Sequence, residues 1–139
     1  MFVLDTNVVS ELRKARADRN VTAWASALPA ASLYISVITV LELELGIRLL
    51  DRRDTKQAAM MRAWMDGHLM TTFAGRVLPV DTAVAVECAR LHVPDRRAER
   101  DALIAATALV HRMTVVTRNL ADFVATGVGV LDPWGARAQ

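Results

Sequence analysis

Three acidic residues that could act together are spread along the chain, at Asp5, Glu42 and Asp101, and each adjoins an apolar segment. Carboxylates brought together repel one another, and burial raises the cost. A divalent cation would relieve that repulsion. Because the set offers only oxygen ligands, it favours Mg²⁺ or Mn²⁺ over zinc. A metal held in this way could activate a water molecule for hydrolysis.

Each of these acids also has an ordinary structural explanation. Asp5 could cap a helix after the first strand, and Asp101 could cap an apolar helix. Glu42 follows Thr39 by three residues, which fits a T-x-x-E capping box, and Asn119 could cap a turn. Taken singly, capping is the better interpretation of each residue. Only convergence of the acids on one edge of a sheet favours a metal site.

Strands and helices are predicted to alternate along the chain, and these elements must position the acids. Strands are predicted at residues 2–4, 33–36, 76–80, 114–117 and 128–131. Helices are predicted around 8–12, 21–28, 39–50, 55–70 and 101–111, with a further helix that carries Val84, Cys88 and Leu91 and ends by Pro94. This alternation predicts an α/β fold with a central parallel sheet of four to five short strands flanked by helices. Ligands of such sheets bind beyond the carboxyl ends of the strands, and Asp5 and Asn119 both follow a strand.

The composition predicts one compact, cytoplasmic domain. The chain has 139 residues, of which 53% are hydrophobic, and its only cysteine, Cys88, lies in a helical pattern. With one cysteine in such a pattern, no intrachain disulfide is possible and a metal thiolate site is not expected. The three histidines are scattered and are not expected to be ligands. The N-terminal residues lack the pattern of a secretory signal. An uncharged run from Val21 to Leu41 is interrupted by Pro29, so no membrane span is expected.

Basic residues are clustered although the formal net charge is only +2. One group comprises Arg13, Lys14, Arg16 and Arg19, and the other comprises Arg96, Arg97 and Arg100. Such groups suit a phosphate backbone, because each contact releases counterions. A solvated surface explains them as well, and on charge alone it is the favoured interpretation.

Several motifs occur in a fixed order over nearly the whole chain. They are FVLDTNVVSE at 2–11, SVITVLELELG at 36–46, FAGRVLPVD at 73–81, DALIAATA at 101–108, TVVTRN at 114–119 and DPW at 132–134. In these motifs the sequence resembles the PIN-domain family, and within it the toxin nucleases of the VapC and FitB type. The resemblance implies a single three-layer PIN domain over residues 1–139.

The resemblance also implies a metal-dependent endoribonuclease that is the toxin of a toxin–antitoxin pair. Asp5, Glu42 and Asp101 match the family's three principal acids, which implies Mg²⁺, or Mn²⁺ in its place, as the cofactor. Asn119 matches the fourth acidic position, where the chain departs from the pattern. This departure weakens the case for a second tightly held metal. Asp122 could substitute, but its interpretation as an acid at a helix start is favoured.

Further positions match recurrent family residues or stand beside them. Positioning or substrate-binding roles are implied for Thr6, Asn7, Asp81, Thr117, Arg97 and Arg100. The partners implied are RNA, a cognate antitoxin whose C-terminal segment blocks the site, and promoter DNA bound only through that antitoxin. A homodimer or higher oligomer is implied as well.

Two other classes of function stay open at this stage. The first is a catalytically weak PIN-like binding module, impaired by Asn119, that acts within an antitoxin-bound DNA complex. The second is a phosphoacceptor or phosphatase, since Asp5 follows a first strand in those folds too. Such chemistry calls for a lysine near the site, and the chain's lysines, Lys14 and Lys56, do not lie in strand-end turns.

Overall fold

The central sheet has five parallel strands. The computed structural model describes residues 1–135 and contains β1 (Phe2–Leu4), β2 (Leu33–Ser36), β3 (Val77–Leu78), β4 (Thr114–Val116) and β5 (Val130–Leu131). The strand order is β3-β2-β1-β4-β5, with every neighbouring pair parallel. The predicted parallel α/β fold is therefore confirmed. The order reverses between β1 and β4, the place where such sheets bind ligands.

Helices connect the strands. They are α1 (Thr6–Arg13), α2 (Arg19–Ser26), α3 (Val37–Asp51), α4 (Thr55–Trp64), α5 (Met70–Thr72), α6 (Thr82–Leu91), α7 (Glu99–His111) and α8 (Ala121–Val124). A 3₁₀ turn at Ala30–Ser32 precedes β2, and a π-helical segment, Met65–Leu69, joins α4 to α5. The helix predicted at 55–70 is thus one helical stretch with a π-segment inside it.

The sheet separates two apolar cores because successive strand residues point to opposite faces. Val3 and Val115 contribute to the core formed with α6, α7 and α8. Leu4 and Val116 contribute to the core formed with α1, α2, α3 and α4. All four side chains are fully buried. Helices cover both faces, and the ends of β1 and β4 are held in fixed register between them.

The uncharged run that interrupts the charge pattern is divided among α2, the 3₁₀ turn, β2 and the start of α3. Within residues 1–135, none of the helices combines the length and the apolar character needed to cross a membrane.

Candidate active site

Asp5 stands at the junction of β1 and α1 and is only 6% exposed. Its backbone N–H still donates to Val116 O at 2.9 Å, which continues the pairing of β1 with β4. One carboxylate oxygen, Oδ1, accepts a hydrogen bond from the Thr6 N–H at 2.8 Å, so Asp5 does cap α1. The second oxygen, Oδ2, accepts from the Thr117 hydroxyl at 2.8 Å. Capping of α1 therefore involves only one of the two carboxylate oxygens of Asp5.

Thr117 and Asn7 fasten Asp5 to the turn that follows β4. The Asn7 side-chain amide lies 3.3 Å from Asp5 Oδ2 and 3.4 Å from the Thr117 hydroxyl. In return, the Arg118 N–H donates to Asn7 Oδ1 at 3.3 Å, and the Asn119 N–H donates to the Thr117 hydroxyl at 3.0 Å. The ends of β1 and β4 are thus tied together by side chains, as the resemblance implied for Thr117 and Asn7.

Glu42 reaches the same region from α3. Ser36 caps that helix by accepting from the Ile38 N–H at 2.9 Å, so the interpretation of Thr39 and Glu42 as a capping box is wrong. Both residues lie inside α3. The Thr6 hydroxyl donates to Glu42 Oε1 at 2.5 Å and lies 3.0 Å from the Thr39 hydroxyl. A glutamate that resembles a helix cap is in fact fixed against the start of α1.

Asp101 enters the region from α7. That helix begins at Glu99 after Ala98, so Asp101 lies in its first turn and is not the N-cap. Burial and the negative charges of Asp5, Asp122 and Glu42 together raise the pKa of Asp101 to about 6. Asp101 therefore lies close enough to these acids for their charges to act on it. That Asp5, Glu42 and Asp101 converge on one metal ion stays a prediction.

A fourth acid, Asp122, acts on the charges of Asp5 and Asp101. Asp122 lies in the first turn of α8, and its charge raises the pKa of both Asp5 and Asp101. Asn119 is exposed, and its backbone forms the turn: its N–H donates to Thr117, and its C=O accepts from the Asp122 N–H at 3.0 Å. Asn119 shapes the segment that delivers Asp122. We call Asp5, Glu42, Asp101 and Asp122 the acidic cluster.

Two other predicted residues have structural tasks away from the acidic cluster. Asp81 is exposed and caps α6, accepting from the Val84 N–H at 3.0 Å. Arg97 donates to the carbonyl oxygens of Leu91 and Ala125, at 2.7 and 3.3 Å, so its guanidinium holds the α6–α7 connection. These contacts do not support the positioning or substrate-binding roles expected of Asp81 and Arg97.

Arg100 is the basic residue that the structure brings to the acidic cluster. Its guanidinium lies 3.7 Å from Glu42 Oε2, and its side chain is 49% exposed. In the other predicted basic group, Lys14 is paired with Glu11 at 3.0 Å and Arg13 lies over the Trp64 ring at 5.9 Å. Arg100 can therefore meet both the acids and a ligand from solvent.

The donor set of the acidic cluster fits a hard divalent cation. All of its donors are carboxylate oxygens, which Mg²⁺ and Mn²⁺ prefer. Burial raises the pKa of Asp5, although the hydrogen bonds from Thr117 and Thr6 oppose the shift, and the charges of Glu42 and Asp122 add to it. The charges of these acids act on one another although, in residues 1–135, no three of them bring oxygens within 4.8 Å of one another.

The acidic cluster predicts an unusual stability effect for Asp101→Asn. The folded pKa of Asp101 is about 6, above its ordinary value of 3.8. The metal-free fold is therefore favoured at low pH and loses this contribution as the pH rises through about 6. We expect the metal-free variant to melt roughly 2–4 °C above wild type at pH 7.5, with a smaller difference at pH 5.

Thermal unfolding in the presence of a chelator at both pH values measures this effect. Asp95→Asn, at an exposed acid in the α6–α7 connection, is the matched control and should leave the melting temperature unchanged. A variant at position 101 that melts at or below wild type at pH 7.5 would show that this carboxylate is not strained.

A parallel sheet whose strand ends carry a carboxylate cluster at the point of order reversal defines an α/β protein with an acidic site. The chain belongs to the PIN domain family, whose family model matches residues 2–127. It is 38% identical to the VapC ribonuclease Y4jK of Sinorhizobium fredii over 139 residues, covering 96% of this chain and 98% of that protein. It is 37% identical to Toxin FitB of Neisseria gonorrhoeae, covering 96% and 99%.

Solved structures agree with these sequence relatives. FitAB bound to an IR36 DNA fragment superposes with a TM-score of 0.89 at 37% identity, covering 99% of this chain and 98% of that chain. VapBC2 from Rickettsia felis, bound to a DNA fragment from its promoter, gives a TM-score of 0.70 at 18% identity, covering 94% and 96%. The FitAB chain is similar to this chain in both sequence and fold, whereas the VapBC2 comparison shows the fold alone.

Proposed function

We propose that this protein is a metal-dependent endoribonuclease and the toxin of a toxin–antitoxin pair. The observation that carries this proposal is the acidic cluster at the carboxyl ends of β1 and β4, with the buried Asp5 at its base. The similarity to proteins named VapC ribonuclease and Toxin FitB supports it. In this proposal residues 1–139 form one PIN domain that acts in the cytoplasm.

Mg²⁺ is the proposed cofactor, with Mn²⁺ able to replace it. Asp5 and Asp101 would hold it, with Glu42 as a direct or water-mediated ligand and Asp122 as the fourth acid. A bound cation of this kind lowers the pKa of water and neutralises charge that develops on a phosphodiester during in-line attack. Because the cluster contains neither cysteine nor histidine, no covalent nucleophile is needed.

The chain's own hydroxyl groups fasten two of the acids. Thr117 donates to Asp5 Oδ2 and Thr6 donates to Glu42 Oε1. A hydrogen bond donated to a carboxylate stabilises its charged form, so the Thr117 hydroxyl opposes the effect of burial, which still raises the pKa of Asp5. The two hydroxyls also fix the direction of each carboxylate. Thr6 and Thr117 are therefore proposed positioning residues rather than ligands.

Arg100 is proposed to bind the RNA backbone beside the acids. Its separation from Glu42, 3.7 Å, makes a weak and half-exposed ion pair that a phosphate can replace. A guanidinium can bind two phosphate oxygens at once. It therefore attracts the phosphate group and also fixes its orientation.

The partners proposed are an antitoxin protein and, through it, promoter DNA. The solved structures most relevant here are toxin–antitoxin complexes, and the structures titled FitAB and VapBC include DNA-bound forms. We further propose a homodimer or higher oligomer. The alternative of a catalytically weak binding module rested on Asn119, and the charge of Asp122 near Asp101 favours the nuclease over it.

Cleavage of RNA by the purified protein tests the proposed function. We expect new 5′ ends to form at a limited set of positions when total cellular RNA is incubated with the protein and Mg²⁺. The ends should disappear when a chelator replaces Mg²⁺. Sequencing of the fragments maps the sites. Intact RNA at all Mg²⁺ and Mn²⁺ concentrations, with a folded protein, would exclude the nuclease.

A further inference from the structure

A second group of metal-ligating side chains lies outside the acidic cluster. Cys88 and His92 are four residues apart and share one face of the end of α6, and Glu99 is the first residue of α7. Cys88 Sγ lies 3.8 Å from His92 Nε2 and 3.7 Å from Glu99 Oε2, and His92 Nε2 lies 3.5 Å from Glu99 Oε1. In residues 1–135 this is the one group of three such donors within 4.8 Å.

These separations are close to the edges of a tetrahedral zinc site. Zinc bonds of about 2.3 Å to sulfur and about 2.0–2.2 Å to nitrogen and oxygen place the donors about 3.3–3.6 Å apart. The distance between His92 and Glu99, 3.5 Å, lies within this range, and those from Cys88 Sγ, 3.8 and 3.7 Å, lie just above it, although Glu99 uses a different oxygen in each contact. We propose that Cys88, His92 and Glu99 form a second metal site, which takes Zn²⁺ or a similar borderline cation with three protein ligands and one open position.

The donor types separate this second site chemically from the acidic cluster. Thiolate and imidazole select zinc-like cations, whereas an all-carboxylate set selects Mg²⁺ or Mn²⁺. Cys88 is only 4% exposed, the His92 side chain is 15% exposed and the Glu99 side chain is 59% exposed. A cation can therefore enter from the Glu99 side and reach the buried sulfur. None of the three residues belongs to the acidic cluster, so this proposal stands independently of the proposed nuclease function.

Binding at His92 requires a defined change in the α6–α7 connection. The Arg97 N–H donates to His92 Nδ1 at 3.0 Å, which places the proton of the neutral ring on Nε2. Coordination through Nε2 moves that proton to Nδ1, so the Arg97 N–H must turn away. The Cys88 thiol proton leaves to solvent and its electron pair binds the metal. The ring keeps one proton, and each metal bound releases one proton.

The position of the site links metal binding to the start of α7. Glu99 precedes Asp101 by two residues, and Arg97 ties the same connection to Leu91 and Ala125. Occupancy would join the end of α6 to the first turn of α7 through the metal. We therefore expect Zn²⁺ to raise the melting temperature of the whole protein, since a ligand that binds only the folded state stabilises it.

Titration with Co²⁺ tests this site without any activity measurement. Co²⁺ replaces zinc in such sites, and its bond to a thiolate gives a near-ultraviolet charge-transfer band that oxygen ligands do not give. We expect wild type to develop this band to one equivalent, and Zn²⁺ to remove it. Cys88→Ala should lose the band, and Asp5→Asn, altered only in the acidic cluster, should keep it.

Glu99→Gln keeps the proposal testable if the buried Cys88→Ala variant fails to fold. Glu99 is the most exposed of the three ligands, and the loss of its charge should weaken Co²⁺ binding by at least about tenfold. The amide resonance of Arg97 should shift on addition of Zn²⁺. Absence of the band in wild type, its persistence in Cys88→Ala, or unchanged affinity in Glu99→Gln would overturn the proposal.

Discussion

Asp5→Asn is expected to abolish RNA cleavage while the protein stays folded. The variant keeps an oxygen that can accept from the Thr6 N–H, so α1 remains capped. It loses the negative charge at the base of the acidic cluster, where the carboxylate also accepts from Thr117 at 2.8 Å. We expect the rate of cleavage to fall by at least about 100-fold, the scale seen when one preorganised electrostatic group is removed.

The measurement is the initial rate of cleavage of one RNA substrate at saturating Mg²⁺, together with the melting temperature. Asp54→Asn is the matched control, because Asp54 is also a helix N-cap, of α4, and accepts from the Gln57 N–H at 3.0 Å. It undergoes the same chemical change outside the acidic cluster and should retain the wild-type rate. Equal rates for Asp5→Asn and wild type would show that the site is misassigned.

The strained carboxylates explain why activity and stability should oppose each other in this protein. Burial raises the pKa of both Asp5 and Asp101, and the charges of the other acids add to the shift. Ionisation of these groups is therefore less favourable in the metal-free fold than in the unfolded chain. A bound cation reverses that penalty, so the groups that destabilise the free protein are those proposed to hold the metal. Asp101→Asn separates the two effects, since it should stabilise the fold and weaken the site.

The fold could be predicted because its signals are local. Short apolar strands such as Phe2–Leu4 and Thr114–Val116 alternate with helices of clear periodicity, and this alternation is typical of a parallel sheet. Asp5 could be predicted as a site residue for the same reason, because it directly follows a strand. What the sequence alone could not supply was the position of helix ends.

The interpretation of Thr39 and Glu42 as a capping box was wrong because it misplaced the start of a helix. Thr39 and Glu42 have the spacing of a capping box, but α3 begins earlier because Ser36 provides the cap. Cys88 and His92 have the i, i+4 spacing of neighbours on one face of a helix, so their proximity could be predicted from the sequence although the histidines are scattered. The approach of Glu99 to this pair depends on the path between α6 and α7, which no local pattern contains.

The asparagine at position 119, where the family pattern has an acid, is best understood from the local backbone. The TVVTRN motif suggests that the fourth acid is missing, but the Asn119 backbone forms a turn that brings Asp122 to the cluster. We therefore propose that the main chain at Asn119 positions this segment and that Asp122, three residues later, supplies the fourth carboxylate.

Asp122→Asn is accordingly expected to damage cleavage far more than Asn119→Ala. Removal of the Asp122 charge should weaken the hold of the acidic cluster on Mg²⁺ and lower the cleavage rate at limiting Mg²⁺ by about 10–100-fold, the scale of groups that support a metal site. Asn119→Ala keeps the backbone bonds to Thr117 and Asp122, so its rate should stay within about threefold of wild type, the usual scale of an exposed surface change.

Rates measured over a range of Mg²⁺ concentrations distinguish these outcomes, because a lost metal-binding charge moves the half-maximal concentration upward and a distorted turn does not. Added Mg²⁺ should therefore recover part of the activity of Asp122→Asn. If Asn119→Ala loses as much activity as Asp122→Asn, and only the former is recovered by Mg²⁺, then the amide at position 119 is the fourth donor. Recovery confined to Asp122→Asn places the fourth donor on α8, where its charge acts on Asp5 and Asp101 together.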